Sequence, residues 1–308
     1  MTLAGQGEPA WLRRSDEPQP FVVTICCYGG LDDALTLLRT QLDGLPIGGQ
    51  DRPGKNACNV TIECMPRQAW SLLRELRDRL AAADVYIQPE TERGKRLLIC
   101  DMDMTIIDAE TLDEVAARLG MGNEIAAITA RAMHGELDFD AALRERIAML
   151  AGQPERVFHE VAQEVGFNPG AKALLDGARA AGVHTILISG GFAQVAEPVA
   201  ARLGFDEVHC NHLELEARTL TGRVRAPIIN ADLKCQVLQQ SAQALGIGLR
   251  ECCAIGDGAN DLPMLSAAGL GIAYHAKPVL RDASSCRIDA TDLESALFFM
   301  GWGGSGAR

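Results

Sequence analysis

The sequence predicts an α/β protein in two parts: a small N-terminal α+β unit, then a mainly parallel sheet layered with helices and interrupted by a helical insertion. Three observations carry this. Between residues 169 and 273, apolar runs alternate with segments of helical period, the rhythm of strands joined by crossover helices. Leu97–Thr105 (LLICDMDMT) is an apolar run that breaks off at Asp101 and Asp103, as a buried parallel strand does when it delivers carboxylates to a sheet edge. In open α/β sheets, ligands bind at that edge. Residues 21–88, before this strand, read β-α-β-α-β.

Residues 1–20 are rich in Pro, Glu and Gly without periodicity and are expected to form a mobile leader. From Phe21 an apolar strand (FVVTICC) leads through Gly29 and Gly30 into a helical pattern over Leu31–Leu42. A Gly- and Pro-containing connection at 45–54 precedes an alternating strand, Ala57–Cys64. A helix from about Pro66 carries Trp70, Leu73, Leu76 and Leu80 on one face, and Val85–Gln88 forms a short strand. This unit, 21–90, suggests a ferredoxin-like α+β domain.

The polar stretch Pro89–Lys95 (PETERGK) marks the boundary, so the second domain covers 95–300. Residues 112–165 are helical in pattern with glycine breaks, too long for one crossover, and read as a helical cap beside the sheet edge. The doubly wound rhythm follows. A helix (Ala171–Ala181), a strand (His184–Ser189) and a helix (Ala193–Leu203) lead to a polar hairpin-like region. A helix (Leu233–Leu245), a strand (Glu251–Asp257), a helix (Leu262–Ala268) and a strand (Gly271–Ala273) complete it.

The 308 residues, 47% hydrophobic, suffice for a well-packed core in each part. A formal net charge of -12, with dispersed basic residues, argues against a nucleic-acid partner. The N-terminus lacks the apolar segment of a secretory signal, and no apolar run approaches the roughly 18 residues of a membrane span. A cytoplasmic location, with no membrane partner, is the expectation. The ten cysteines include no CxxC, and the adjacent pairs Cys26-Cys27 and Cys252-Cys253 point to opposite faces of their strands. They read as buried thiols in a reducing compartment. His209, Cys210 and His212 read as a polar loop rather than a metal site.

Four polar clusters stand at strand ends or helix starts: Asp101, Asp103 and Thr105; Ser189-Gly190-Gly191; Lys234; and Gly256–Asp261 (GDGAND). Small residues at the second let backbone N–H groups approach an anion. Hard carboxylate oxygens suit Mg²⁺, and Mg²⁺ with a lysine and backbone donors neutralises a phosphoryl group for an anionic nucleophile. Each cluster alone is ordinary turn or surface chemistry; their ordered occurrence is what points to an enzyme.

Together DMDMT, ISGG, Lys234 and GDGANDLPML resemble the four ordered motifs of the haloacid dehalogenase superfamily of phosphatases, spread over 97–280. The resemblance implies that Asp101 attacks phosphorus to give an aspartyl-phosphate and that Asp103 serves as acid and then base. It also implies Mg²⁺ on the Asp101 and Asp257 side chains and the Asp103 carbonyl, with Asp261 supporting the metal through its waters.

Glu110, in ETLDEVA, and the cap residues Met133, Phe139 and Arg146 stand where the phosphoserine phosphatase family carries its substrate-recognition residues. A carboxylate and a guanidinium suit an amino-acid phosphate, which presents one ammonium and one carboxylate. Ser189, Gly190, Asn260 and Lys234 would hold the phosphate end, and YHAKP (274–278) matches the family's final segment. The N-terminal unit resembles the ACT-like domain of many bacterial members; pairing of two chains, effector binding and a purely structural role all remain open for it. Position 104, usually Ser in that family, is Met here; the side chain there does not carry the chemistry, so the class is untouched, but it can reshape the pocket floor and bears on how strict the specificity is. The rivals are a phosphatase or phosphotransferase acting on another small phosphomonoester, and a non-catalytic amino-acid sensor.

Overall fold

β-Branched and aromatic residues in FVVTIC make β1 (Gln19–Cys26) a strand buried from Phe21 onward. The computed structural model of the chain describes residues 7–42, 44–134 and 136–303, and the Met133 side chain also lies outside the described set. After β1 come α1 (Leu31–Gln41), β2 (Ile47–Gly54), β3 (Ala57–Cys64), α2 (Pro66–Arg79) and β4 (Asp84–Pro89). The sheet order is β2-β3-β1-β4, with β1 antiparallel to β3 and β4. This β-α-β-β-α-β arrangement is the ferredoxin-like one.

Two N-terminal expectations change. The 45–54 connection contains the edge strand β2, which is solvent-exposed except around Pro53 and pairs with β3 through two register irregularities. Backbone bonding rather than side-chain burial makes it a strand, so it left no alternating pattern to read. The expected leader is also structured in part: Ala10–Arg13 forms a 3₁₀ turn that buries Trp11, its ring 5.0 Å from that of Phe21 and edge-on to it. One isolated aromatic in polar text carries no period. Residues 1–6 lie outside the described set.

The second domain is built on a six-stranded parallel sheet in the order β12-β11-β10-β5-β6-β7. Its strands are β5 (Leu97–Asp101), β6 (His184–Phe192), β7 (Glu207–Asn211), β10 (Cys252–Gly256), β11 (Leu270–Tyr274) and β12 (Cys286–Ile288). Alternate side chains enter opposite cores: Leu98 and Cys100 of β5 join Cys253 and Ile255 on one face, while Leu97 and Ile99 join Cys252 and Ala254 on the other. All ten cysteines are free. Asp101 lies beside Ile188 of β6, and Cys100 beside Ile255 of β10. This register brings Asp101, Ser189 and Asp257 to one edge.

Between β5 and α7 (Ala171–Ala180) stands the cap: α3 (Thr111–Arg118), α4 (Gly122–Met133), α5 (Phe139–Met149) and α6 (Arg156–Glu164). Helix α5 rests on a hairpin, β8 (Leu213–Glu216) and β9 (Thr219–Val224), which follows α8 (Ala193–Leu203) and β7. Helices α9 (Ala231–Ala244), α10 (Leu262–Ala267), α11 (Pro278–Ala283) and α12 (Glu294–Phe299) complete the layers. The two domains meet at Asp84, whose buried carboxylate accepts the N–H groups of Asp289, Ala290 and Thr291 and the Thr291 hydroxyl. No described helix is long and apolar enough to cross a membrane.

Candidate active site

Beyond Asp101 the chain turns tightly. The Met102 carbonyl accepts N–H groups from Thr105, Ile106 and Ile107 at 3.2, 2.8 and 3.0 Å. Asn168, just after the cap, braces this turn by donating Nδ2 to the carbonyls of Met104, Thr105 and Ile107 at 3.1, 2.9 and 3.1 Å. The turn brings Asp103 back over the sheet edge, where Oδ1 accepts the Thr111 N–H at 3.1 Å and Ser189 Oγ donates to Oδ2 at 3.4 Å. Met104 adopts a left-handed φ of 56° and is 39% exposed. It is not among the residues that border the cavity described below.

Lys234 sits in the first turn of α9, whose N-terminus is capped by Asn230 Oδ1 accepting the Leu233 N–H at 3.1 Å. Its buried ammonium donates to Asp101 Oδ1 and, at 2.7 Å, to Asp261 Oδ1. Burial pulls this ammonium down, yet the Asp101 and Asp261 carboxylates outweigh it and the net shift is upward. Burial, followed by the Asp261 charge, raises the Asp101 carboxyl against the opposing pull of Lys234. Burial and the Glu110 charge push Asp103 up to about 6. Asp257 is also raised, by burial, with Lys277 opposing. Asp261 Oδ2 accepts the Gly258 N–H at 3.1 Å, so both of its oxygens are engaged. Gly256 is needed here because a Cβ would lie 2.5 Å from Asp261 Cγ.

Ser189 is fully buried, and its Oγ accepts the Gly191 N–H at 2.8 Å. A Cβ on Gly191 would stand 3.0 Å from that Oγ and 3.2 Å from Asp103 Oδ2, so glycine keeps the backbone open to the pocket. Opposite, the cap places Phe139 at the start of α5, its ring 3.2 Å from where a Gly190 Cβ would be. Glu110 occupies the position just before α3 without a side-chain capping bond, and Arg146, half-buried on α5, donates Nε to the Ala142 carbonyl at 3.4 Å. Burial draws the Arg146 guanidinium down, with Asp113 and Glu110 opposing.

Asp101, Asp103, Glu110, Phe139, Arg146, Gly190, Asn260 and Asp257 border a single cavity of about 190 Å³. Two larger hollows, about 530 and 700 Å³, border the N-terminal segment and share none of these carboxylates, so side-chain chemistry rather than size marks the site. The Met133 side chain lies outside the described residues. Two participants escaped the sequence reading. Asn168 showed only an Asn-Pro turn signal. Lys277 was noted within YHAKP without a role, yet its Nζ lies 3.0 Å from Glu110 Oε1 and 3.4 Å from Asp257 Oδ2.

The residues fit a divalent cation. Oxygens of Asp101, Asp257 and Asp261 come within 4.8 Å of one another, all on buried side chains. The three buried carboxylates Asp101, Asp257 and Asp261 surround the single buried ammonium of Lys234, an excess of negative charge that a doubly charged ion would offset. The donor set is all hard oxygen, as Mg²⁺ prefers.

A family model described as haloacid dehalogenase-like hydrolase matches residues 98–266. The chain belongs to this family. The chain is 42% identical over 209 residues to a phosphoserine phosphatase of Mycobacterium tuberculosis, covering 68% of this chain and 51% of that one. It therefore spans about half the length of that relative. A phosphoserine phosphatase of Lactococcus lactis is 41% identical over 207 residues, 67% of this chain and 96% of that one. The structure of a hydrolase of the family from Salmonella enterica serovar Typhi superposes with a TM-score of 0.82 at 33% identity, covering 91% of this chain and 98% of that one.

Proposed function

We propose that this hydrolase converts O-phospho-L-serine to L-serine and phosphate, with Mg²⁺ and a phosphorylated Asp101. One observation carries the reading: the cavity that holds Asp101 and Asp103 also presents Glu110 and Arg146 from the cap. A carboxylate and a guanidinium match the ammonium and carboxylate that distinguish an amino-acid phosphate from other small phosphomonoesters. The two relatives named phosphoserine phosphatase support it.

In this reading Lys234, itself anchored by Asp261, holds Asp101 in place, so its carboxylate meets phosphorus without reorganising. Asp103, pushed up to about 6, carries a proton often enough near neutrality to donate it to the serine oxygen as the P–O bond breaks. The carboxylate so formed then takes a proton from the water that hydrolyses the phospho-enzyme. Ser189, Gly190, Asn260 and Lys234 line the phosphate end. Asp101, Asp257 and the Asp103 carbonyl would hold Mg²⁺, with Asp261 supporting it. The ion supplies positive charge that offsets repulsion between the nucleophile and the phosphoryl oxygens. Phe139 borders the cap side of the cavity.

A cytoplasmic location belongs to the same reading, because ten unpaired thiols suit a reducing compartment. So does pairing of two chains through the N-terminal domain, which sedimentation of the full chain measures. The decisive assay compares kcat/KM for L-phosphoserine with that for a panel of sugar and nucleotide phosphates. A clear preference for phosphoserine is expected; equal turnover of the panel would sink the substrate assignment.

A further inference from the structure

Asn211 ends β7 with its side chain fully buried, and none of the steps above uses it. Both ends of its amide are engaged: Nδ2 donates to the Gly190 carbonyl at 2.8 Å, and Oδ1 accepts the Ile229 N–H at 2.8 Å. The strand register shows why a side chain is needed there. From the pair Ile188–His209 to the pair Phe192–Asn211, β6 advances four residues while β7 advances two, which throws Ser189–Gly191 out of the ladder. The amide takes the place of the missing strand partner. Because the Gly191 N–H donates to Ser189 Oγ, the Gly190–Gly191 peptide is held at both of its polar atoms.

The other end of the amide reaches a second element. Ile229 directly precedes Asn230, the cap of the helix that carries Lys234. One buried side chain thus sets the spacing between the Ser-Gly-Gly loop and the lysine helix, which arise from separate parts of the sequence.

We infer that Asn211 is a positioning residue for phosphate, aligning the Gly190–Gly191 peptide and the Lys234 helix on one phosphoryl group. This rests on the reading of those two elements as the phosphate-binding side of the pocket. The alignment is made by a hydrogen-bonded amide in a dry interior, where loss of one bond leaves its partner unpaired.

The test uses the full chain and calorimetric binding of inorganic phosphate with Mg²⁺, beside separate binding of L-serine, which reports on Glu110 and Arg146. Asn211→Ala should weaken phosphate about tenfold, the effect of one well-placed hydrogen bond. L-Serine binding should stay within about twofold. Equal weakening of both ligands would mean general loosening and overturn the inference, as would unchanged phosphate affinity. Asn211→Leu keeps a similar volume without adding charge and removes both hydrogen bonds, so it carries the same expectation if the alanine variant does not fold. If neither folds, Asn211 is a folding residue and the inference fails. Phosphate binding is indifferent to the ester cleaved. A protein that ignores phosphoserine and L-serine yet loses phosphate affinity on substitution, with Mg²⁺ affinity retained, would refute the substrate assignment and leave this inference standing.

Discussion

Asp101 and Lys234 are two opposite charges buried together, with Asp261 as the lysine's second partner. Asp101→Asn keeps the shape and removes the nucleophile, so kcat should fall by about a thousandfold or more. Single-turnover assays would check this; retained turnover would remove Asp101 from the chemistry. Arg146 acts on recognition instead. Arg146→Ala should raise KM for phosphoserine by on the order of tenfold to a hundredfold while changing KM for a phosphomonoester without a carboxylate far less. The carboxyls also predict a pH effect. Burial raises Asp101 and Asp257, and each must be ionised to hold a metal. Protons therefore compete with Mg²⁺, and its affinity should rise as the pH is raised beyond the usual carboxylate range. Calorimetric titration at several pH values measures this, and a flat profile would contradict the assigned ligands.

At the scale of elements, the strand ends do the positioning. β5, β6 and β10 are neighbours in register, so three polar clusters distant in sequence share one edge. Gly256, closing β10, lets Asp261 pack against the strand and reach Lys234. Gly256→Ala would place a methyl group 2.5 Å from Asp261 Cγ. We expect kcat to fall about tenfold or more with the fold retained, because Asp261 must move and Lys234 loses an anchor. Steady-state kinetics beside circular dichroism tests this, and unchanged kcat would show that the Asp261–Lys234 contact does not matter. The motifs at these strand ends were legible because buried parallel strands are apolar runs that stop at polar residues. The bracing asparagines, Asn168 and Asn211, were not, since one amide in a loop or at a strand end has no period and no characteristic spacing.

At the scale of the molecule, the N-terminal domain is fastened to the second domain through Asp84, whose carboxylate gathers three consecutive backbone N–H groups and a hydroxyl. Asp84→Ala would leave those donors unpaired at a buried joint, at a cost of about 2–4 kcal/mol. Urea unfolding should show the loss, with the two domains melting less cooperatively. An unchanged midpoint would mean that the joint is held by apolar contacts such as those around Phe298.

The four motifs and the mainly parallel character of the second sheet were determined by sequence alone, because strand and helix periodicity and strand-end polarity are local properties; the edge strands β7 and β12 and the helices α11 and α12 were not, being short elements read as a polar hairpin or not read at all. Tertiary structure decided what depends on partners. β2 is a strand only because β3 supplies its hydrogen bonds. Trp11 is core only because Phe21 and the first sheet receive it. Met104 is exposed in a left-handed backbone conformation that the tight turn after Asp101 requires. The pocket itself, with Glu110 and Arg146 across from Asp101, exists only where the cap meets the sheet edge.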